Sequence, residues 1–369
     1  MHRAVLQRAS YTSVSFIAPL VAGKMSIHQP RLQTLAKLIP PLTPAMHKGD
    51  CGRVAVFGGC EEFTGAPYFV ASSSLRLGTD IAYLVCDRSA ATAIKSYTPD
   101  IIVLPFLRPS SEDTGESKIG AILKRVHAMS VGSGLGKDRT LQESARLAIC
   151  EARKSGIPIV LDADSLDIVC SDPSVISGYA NAVLTPNPPE FARLCSALGL
   201  DPDSVDAEAE KKVGGAVRLL AHKLGGVTVV RKGQSDVISN GERVFVCDEA
   251  GGLRRCGGQG DVLCGATVTF MAWGEKYKQA VEARANSSRG GEKPGNGKQA
   301  SSSSSEDIDP KDIPMLASYA ACLLTRHASY LAYDEYGRAT QSTNILEQID
   351  ISFDNKFEEL LKAVRPANL

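Results

Sequence analysis

Several absences narrow the classes of function that are open to this sequence. Neither sign of charge is in excess, since 41 basic residues balance 41 acidic ones, so a general nucleic-acid or anionic-membrane surface is not expected. No apolar run is long enough to span a bilayer. The ten cysteines include no CxxC pair and no Cys/His cluster, which argues against zinc bound by the protein. The expected partners are small molecules, and a homo-oligomer is left open.

The common nucleotide-binding and hydrolase signatures are also missing. The sequence contains no GxxxxGK[ST] phosphate loop, no GxSxG nucleophile elbow and no HExxH zinc motif. The stretch GSGLG at 132–136 is not a GxGxxG dinucleotide fingerprint, because its third glycine comes one residue early. P-loop, α/β-hydrolase, zinc-protease and Rossmann functions are therefore poorly supported.

The composition is that of an intracellular globular protein with an unusual leader. Hydrophobic residues make up 43% of the chain and charged residues 22%. Cys86, Cys150 and Cys170 lie in or beside apolar runs, where cysteine behaves as a small buried hydrophobe in a reducing compartment. The first 49 residues carry no acidic side chain. This leader fits either a mitochondrial transit peptide or a disordered segment, so a cytoplasmic or a mitochondrial location follows.

Apolar, strand-like runs alternate with helical segments from Arg53 onward. The runs include RVAVF, IAYLV, IIVL, HAMSV, IPIVL and NAVL, and each ends near glycine, proline or polar residues. This alternation predicts an α/β fold with a central, mostly parallel sheet and helices on both faces. The later runs GVTVVRKG, DVISNG and RVFVC are separated only by turns, which predicts an antiparallel edge.

One segment interrupts the pattern. Residues from about 284 to 309 are rich in glycine, serine and charge, cannot bury apolar area, and are predicted to be a disordered low-complexity insertion. No internal repeat is present. We therefore expect a leader at 1–29 and a single domain over 30–369 that carries this insertion.

Glycine-rich or polar stretches follow several predicted strands, at 132–136, 160–164, 185–190, 232–233 and 254–261. Ligands of α/β sheets bind at the carboxyl ends of the strands, so these stretches predict a cleft. In TPNPPEF, one interpretation is a helix start favoured by proline and an acidic first turn. The other makes Asn187 a hydrogen-bonding group for a ligand, with Glu190 holding water or Mg²⁺ near phosphates. The carboxylates of VLDAD have the same two interpretations.

The stretch RRCGGQGD at 254–261 precedes an apolar helix. A helix N-terminus exposes N–H donors and the positive end of its dipole, so glycines there suit a phosphate. Asp261 is then a helix cap or a base beside that phosphate. Three glycines exceed what a cap needs, which favours catalysis. The backbone N–H groups of 258–261 would form an anion hole, and Asp261 would accept a proton from an attacking hydroxyl.

Together these motifs resemble the ATP-dependent NAD(P)H-hydrate dehydratase family. The likeness lies in HKGDCGRVAVFGG, VGSGLG, LTPNPPEFARL, VVRKGQSDVISNG and RRCGGQGDVLCG, which occur in the family's order. It implies a ribokinase-like fold and repair of the S epimer of hydrated NADH and NADPH. The γ-phosphoryl group of ATP would move to the C6 hydroxyl, and elimination of phosphate would restore the dihydropyridine, with Mg²⁺ bridging the phosphates.

The resemblance also implies roles for individual residues. Asp261 matches the position at the reacting hydroxyl. The positions that match contacts to the hydrated cofactor are Gly134, Asn187, Pro188, Pro189, Glu190, Phe191, Ala192, Arg193 and Asp261. The positions that match contacts to ATP are Lys232, Gly233, Gln234, Ser235, Asp236, Gly251, Gly252, Leu253, Arg254, Arg255, Cys256, Gly257, Gly258, Gln259 and Gly260. No direct metal ligand is implied, and Glu190 would act through water. Ser133 stands where the family usually has proline.

Two other functions fit the same motifs. A kinase of the same fold, acting on a vitamin-precursor alcohol, would use Asp261 in the same way but stop at the phosphate ester; TPNPPEF and HKGDCGRV favour the dehydratase. A non-catalytic nucleotide-binding sensor would have no need of a base, so Asp261 argues against it. Many family members carry a fused epimerase domain. This chain is too short to hold one, so the epimerase is expected to be a separate protein.

Overall fold

A computed structural model describes Pro30 and residues 32–108, 115–201, 215–289 and 307–364. The leader at 1–29 lies outside the described residues, and so does most of the predicted insertion. Helix α9 (Gln259–Arg289) continues past the predicted start of that insertion, so residues 284–289 are helical. The apolar pattern ends earlier, but the alanine and the two arginines of this stretch favour the helical state.

Nine strands in the described part of the chain form one sheet. They are β1 Arg53–Phe57, β2 Ile81–Val85, β3 Ile102–Leu104, β4 Ala128–Val131, β5 Ile159–Leu161, β6 Ala182–Leu184, β7 Thr228–Arg231, β8 Asp236–Ser239 and β9 Val244–Cys247. Their spatial order is β3-β2-β1-β4-β5-β6-β7-β8-β9. The pairs from β3 to β7 are parallel, while β8 and β9 add antiparallel. The predicted parallel sheet with an antiparallel edge is confirmed.

The helices surround this sheet. Besides α9 they are α1 Leu32–Ala36, α2 Gly65–Leu77, α3 Arg88–Tyr97, α4 Gly115–Leu123, α5 Arg139–Lys154, α6 Ser165–Ser171, α7 Pro188–Ala197, α8 Gly215–Lys223, α10 Ile313–Tyr336, α11 Ser342–Glu347, α12 Ile349–Phe353 and α13 Glu359–Val364. Within the residues described, no helix has both the length and the apolar character needed to cross a membrane.

Strand β1 shows why both faces of the sheet are covered. Its side chains alternate, so Val54 and Val56 enter one hydrophobic core while Ala55 and Phe57 enter the other. The first core contains residues of α2, α9 and α10, and the second contains residues of α5, α7 and α8. The predicted helices on both faces are confirmed.

Helix α9 is held against α2 by small residues. The hydroxyl of Ser73 donates to the carbonyl of Val262 at 2.9 Å, and that of Ser74 donates to the carbonyl of Gly265 at 3.1 Å. A Cβ at Gly265 would lie 2.3 Å from the carbonyl oxygen of Val70. This close approach fixes where α9 begins, and therefore where its N-terminus meets the sheet.

We expect Gly265→Ala to destabilise the protein by about 1–3 kcal/mol, because the added methyl group forces α9 and α2 apart. Gly120→Ala is the matched control, since Gly120 is also helical and a Cβ there meets nothing within 4 Å. That change should be neutral or stabilise by about 0.5–1 kcal/mol. Urea unfolding of both variants measures the difference. Equal free energies of unfolding would contradict the packing described here.

Candidate active site

The structure brings four of the predicted stretches together at the carboxyl edge of the sheet. The GSGLG loop follows β4, the stretch 162–164 follows β5, the stretch 185–187 follows β6, and Lys232 follows β7. The N-terminus of α9 lies against them. A Cβ at Gly260 would be 3.4 Å from Nζ of Lys232 and 3.9 Å from Oδ2 of Asp162.

A buried ion pair lies beneath this helix N-terminus. Nζ of Lys232 is 2.8 Å from Oδ1 of Asp162, which also accepts a hydrogen bond from the hydroxyl of Thr185 at 2.8 Å. Asp162 is 2% exposed. Burial lowers the pKa of Lys232, but the carboxylates of Asp162 and Glu190 more than offset this and raise the pKa above its ordinary value. Lys232 is therefore a fixed cation beside the first turn of α9.

The turn that follows β5 directs two carboxylates to different partners. Ala163 separates them and is the one non-glycine residue with positive φ in the described ranges, at 50°. On one side Asp162 meets Lys232. On the other side Asp164 accepts from the Gly136 amide at 2.8 Å and from Lys137 at 2.7 Å. Both carboxylates of VLDAD thus serve neighbouring loops, and a strained backbone is common at such sites.

Asp261 lies in the first turn of α9. The helix begins at Gln259, so Asp261 follows the cap position instead of occupying it. Burial, and then the charge of Asp162, raise the pKa of Asp261 to about 7, while Ser133 and Lys232 lower it. A carboxyl group that titrates near neutral pH is suited to accept a proton from a hydroxyl. The geometry therefore favours the base over the cap.

The glycines around Asp261 serve different purposes. A Cβ at Gly258, where φ is 93°, would be 2.9 Å from the ring of Phe69, so packing requires that glycine. A Cβ at Gly257 would meet nothing within 4 Å, and one at Gly260 would make ordinary contact with Nζ of Lys232 at 3.4 Å. The N–H groups of the first helical turn have no acceptor within the helix. This turn lies beside Lys232, an arrangement of positive groups that suits an anion.

In TPNPPEF the interpretation of Asn187 and Glu190 as a helix start is confirmed. Oδ1 of Asn187 accepts from the Glu190 amide at 2.9 Å, and Oε2 of Glu190 accepts from the Asn187 amide at 2.8 Å. This capping box starts α7. It leaves Nδ2 of Asn187 without a partner in the described part of the chain, available to a ligand. Burial raises the pKa of Glu190.

The other residues predicted to contact the hydrated cofactor are less uniform. Phe191 is 3% exposed and packs in the core with the guanidinium of Arg231 over its ring, so its side chain does not reach the cleft. Gly134 has φ of 63°, and a Cβ there would lie 2.6 Å from the carbonyl oxygen of Phe63, so packing accounts for this glycine. The side chain of Phe191 and the missing side chain of Gly134 are therefore explained by packing, without a ligand. The remaining predicted contacts, which are exposed or partly exposed, are Pro188, Pro189, Ala192 and Arg193.

A cavity of about 660 Å³ extends from the first turn of α9 to α10. A volume of this size suits a nucleotide. It is lined by Asn187, Pro188, Lys232, Gly233, Gln234, Asp236, Gly251, Arg255, Cys256, Gln259, Gly260, Leu263, Cys322, Thr325 and Arg326. Of the predicted ATP contacts, those that do not line it are Ser235, Gly252, Leu253, Arg254, Gly257 and Gly258.

Arg326 of α10 lines the cavity but is not among the residues predicted from the sequence. It binds both carboxylate oxygens of Asp236, at 2.6 and 2.9 Å. It also donates to the carbonyls of Gly233, Gln234 and Glu249, at 2.8, 2.9 and 3.2 Å. Asp236, a predicted ATP contact, is thus committed to an ion pair that shapes the cavity wall. The available signal was an arginine within the apolar run ACLLTRHAS, since a buried charge must be paired.

A family model described as NAD(P)H-hydrate dehydratase matches residues 54–350. The chain belongs to the NAD(P)H-hydrate dehydratase family. Among curated relatives in this family, the ATP-dependent (S)-NAD(P)H-hydrate dehydratase of Schizosaccharomyces pombe is 38% identical, covering 90% of this chain and 95% of the relative. The protein of the same name from Bos taurus is 41% identical, covering 89% of each chain.

Solved structures of the dehydratase family share this fold. The ADP/ATP-dependent NAD(P)H-hydrate dehydratase of Bacillus subtilis, co-crystallised with ATP and Mg²⁺, matches with a TM-score of 0.59 at 17% identity, covering 88% of this chain and 97% of that one. A ribokinase-like superfamily protein of Enterococcus faecalis matches with a TM-score of 0.63 at 16% identity, covering 89% and 96%. The predicted ribokinase-like fold is confirmed.

The raised pKa of Asp261 predicts a pH dependence of stability. The folded state holds this proton up to about pH 7, whereas the unfolded chain releases it near pH 4, so wild-type stability is lost as the pH rises between these values. Asp261→Asn removes the effect. We compare the free energy of unfolding of Asp261→Asn with that of wild type. The difference, variant minus wild type, should increase by roughly 2–4 kcal/mol from pH 4 to pH 8.

Denaturant unfolding at several pH values measures this difference. Asp334→Asn is the control, because Asp334 is exposed and its substitution should leave the pH dependence unchanged. A relative stability of Asp261→Asn that stays constant with pH would show that the buried carboxyl is not protonated in the folded state.

Proposed function

We propose that this chain catalyses the ATP-dependent dehydration of the S epimer of hydrated NADH and NADPH. The products are the intact dihydronicotinamide cofactor, ADP and phosphate. The observation that carries the proposal is the position of Asp261, a carboxyl group whose pKa is raised to about 7 by burial, directly after Gly260 at one end of the nucleotide-sized cavity. Membership of the dehydratase family supports the same substrate and the same co-substrate, ATP.

The first step that this arrangement supports is phosphoryl transfer. Asp261 accepts the proton of the C6 hydroxyl, the oxygen bonds to the γ-phosphorus, and the bond to the ADP oxygen breaks. Lys232 and the N–H groups at 259–261 stabilise the charge on the transferring group. Because Asp162 and Thr185 hold Lys232 in place, little reorganisation is needed during the step.

The second step is elimination. The hydroxide ion is a poor leaving group, but the phosphate ester formed in the first step departs readily. The lone pair of the ring nitrogen expels phosphate from C6, and loss of a proton from C5 then restores the C5–C6 double bond.

Magnesium fits this site as a companion of ATP. Among the described residues, no group of three or more His, Cys, Asp or Glu side chains is arranged to hold a metal. Oδ1 of Asp162 is paired with Lys232, and one oxygen of Glu190 is used in the capping box. The residues therefore suit Mg²⁺ held mainly by the triphosphate, with Glu190 acting through water. When bound, the ion neutralises charge on the phosphates.

We extend the proposal to the supply of substrate. Hydration of the nicotinamide ring produces two epimers at C6, and a site with one base on one side of the ring accepts one of them. The other epimer then has to be converted, and a separate epimerase is the partner that this chemistry requires. The partnership is functional and needs no binding surface on this chain.

Incubation of the purified protein with Mg-ATP and hydrated NADH tests the proposal. We expect absorbance at the dihydronicotinamide band to recover in step with ADP. A kinase that stops at the phosphate ester would form ADP without this recovery, and a nucleotide sensor would form neither product. Asp261→Asn should lower turnover by about 10²–10⁴-fold while ATP affinity is kept. Asp334→Asn, in the exposed part of α10, should match wild type.

The contacts of Arg326 predict an effect confined to the nucleotide. In Arg326→Lys, an ammonium group cannot make both hydrogen bonds to Asp236 and also donate to the three carbonyl oxygens. We expect KM for ATP to rise about tenfold, with a smaller change in KM for hydrated NADH. Steady-state kinetics measure both constants. Arg338→Lys is the control, because Arg338 is exposed just after α10. An unchanged KM for ATP would show that Arg326 does not contribute to nucleotide binding.

A further inference from the structure

The hydroxyl of Ser133 is buried and has no hydrogen-bond partner among the described residues. Ser133 follows β4 between Gly132 and Gly134, both with positive φ, and is 2% exposed. Its Oγ makes no hydrogen bond of good geometry with the described residues. The backbone has little freedom, because a Cβ at Gly58 would lie 2.1 Å from the Ser133 carbonyl oxygen. An unpaired buried hydroxyl is costly, so this one calls for an explanation.

The group that faces this hydroxyl belongs to α9, whose first turns pack on the end of β4. Two matched pairs lie along the contact. The hydroxyl of Ser130 is close to Cys264, and that of Ser133 is close to Asp261. Asp261 and Cys264 are three residues apart on the helix and therefore share a face. The Ser133 hydroxyl is near enough to the Asp261 carboxyl to lower its pKa, although their present orientation is not that of a full hydrogen bond.

The other groups around Asp261 do not supply such a donor. Asp162, at the end of β5, is negative and opposes ionisation of Asp261. Lys232, at the end of β7, favours ionisation but already pairs with Asp162. The pKa of Cys264 lies well above its ordinary value, so this thiol stays neutral. The hydroxyl of Ser133 is thus the uncommitted side-chain donor that the described residues place beside the carboxyl.

We propose that Ser133 is a positioning residue whose hydroxyl donates a hydrogen bond to the ionised Asp261 carboxylate and holds it ready to accept the substrate proton. Its expected effect on catalysis rests on the proposed function, whereas its expected effect on the titration of Asp261 does not. The backbone of Ser133 is closely packed, so the hydroxyl would reach the carboxylate by rotation of the side chain. The bond strengthens when Asp261 loses its proton, since a charged acceptor makes a stronger hydrogen bond.

The variant Ser133→Ala tests this role against Ser130→Ala. Ser130 is an equally buried serine three residues earlier, also without a hydrogen bond of good geometry, but it faces Cys264. In Ser133→Ala we expect the midpoint of the Asp261 titration to rise by about one pH unit. Carbon-13 NMR of aspartate-labelled protein measures that midpoint, with Asp261→Asn assigning the signal. In Ser130→Ala the midpoint should stay at the wild-type value.

The kinetic measurement is the profile of kcat/KM for hydrated NADH between pH 6 and pH 9, at fixed Mg-ATP. Ser133→Ala should lose about fivefold at pH 7 and approach wild type at pH 9, because its acid limb moves upward. A loss that is equal at every pH, or an unshifted NMR midpoint, would overturn the proposal. Should wild-type protein fail to turn over hydrated NADH, the proposed function would fail, while the NMR midpoints would still decide the role of Ser133.

Discussion

The site depends on the buried ion pair between Lys232 and Asp162. This pair joins the ends of β7 and β5 beneath the first turn of α9, and it is withdrawn from water. Charges in such surroundings act on their neighbours more strongly than charges in solvent do. Lys232 therefore holds a fixed positive charge beside the first turn of α9, while burial and then the charge of Asp162 raise the pKa of Asp261. One interaction thus lies next to both parts of the proposed site, the anion hole and the base.

The placement of α9 is the second constraint. Close contact between Gly265 and the backbone of α2 sets the position of the helix along its axis, and the serine hydroxyls of α2 hold it there. The N-terminus then meets the edge of the sheet where β4, β5 and β7 end. The contacts that place α9 lie in the hydrophobic core, between α9 and α2. The geometry of the site is for this reason a consequence of helix packing.

The fold and the centre of the site could be predicted because their signals are local. Apolar runs of strand length show the sheet, and the glycines around Asp261 lie next to it in the chain. What could not be predicted depends on distant contacts. Arg326 is 90 residues from its partner Asp236. Only the folded structure shows that Gly258 is needed for packing against Phe69, or that Phe191 points into the core.

The left-handed backbone at Ala163 has an evolutionary consequence. Side chains branched at Cβ are excluded from this conformation by their own bulk, so substitutions here are confined in practice to glycine, asparagine, aspartate and the alanine present. A distant homologue with valine or isoleucine at this position would need a differently shaped turn after β5. The acidic side chains at positions 162 and 164 would then no longer point to different partners. Such a homologue could resemble this chain elsewhere and still differ in the chemistry of its site.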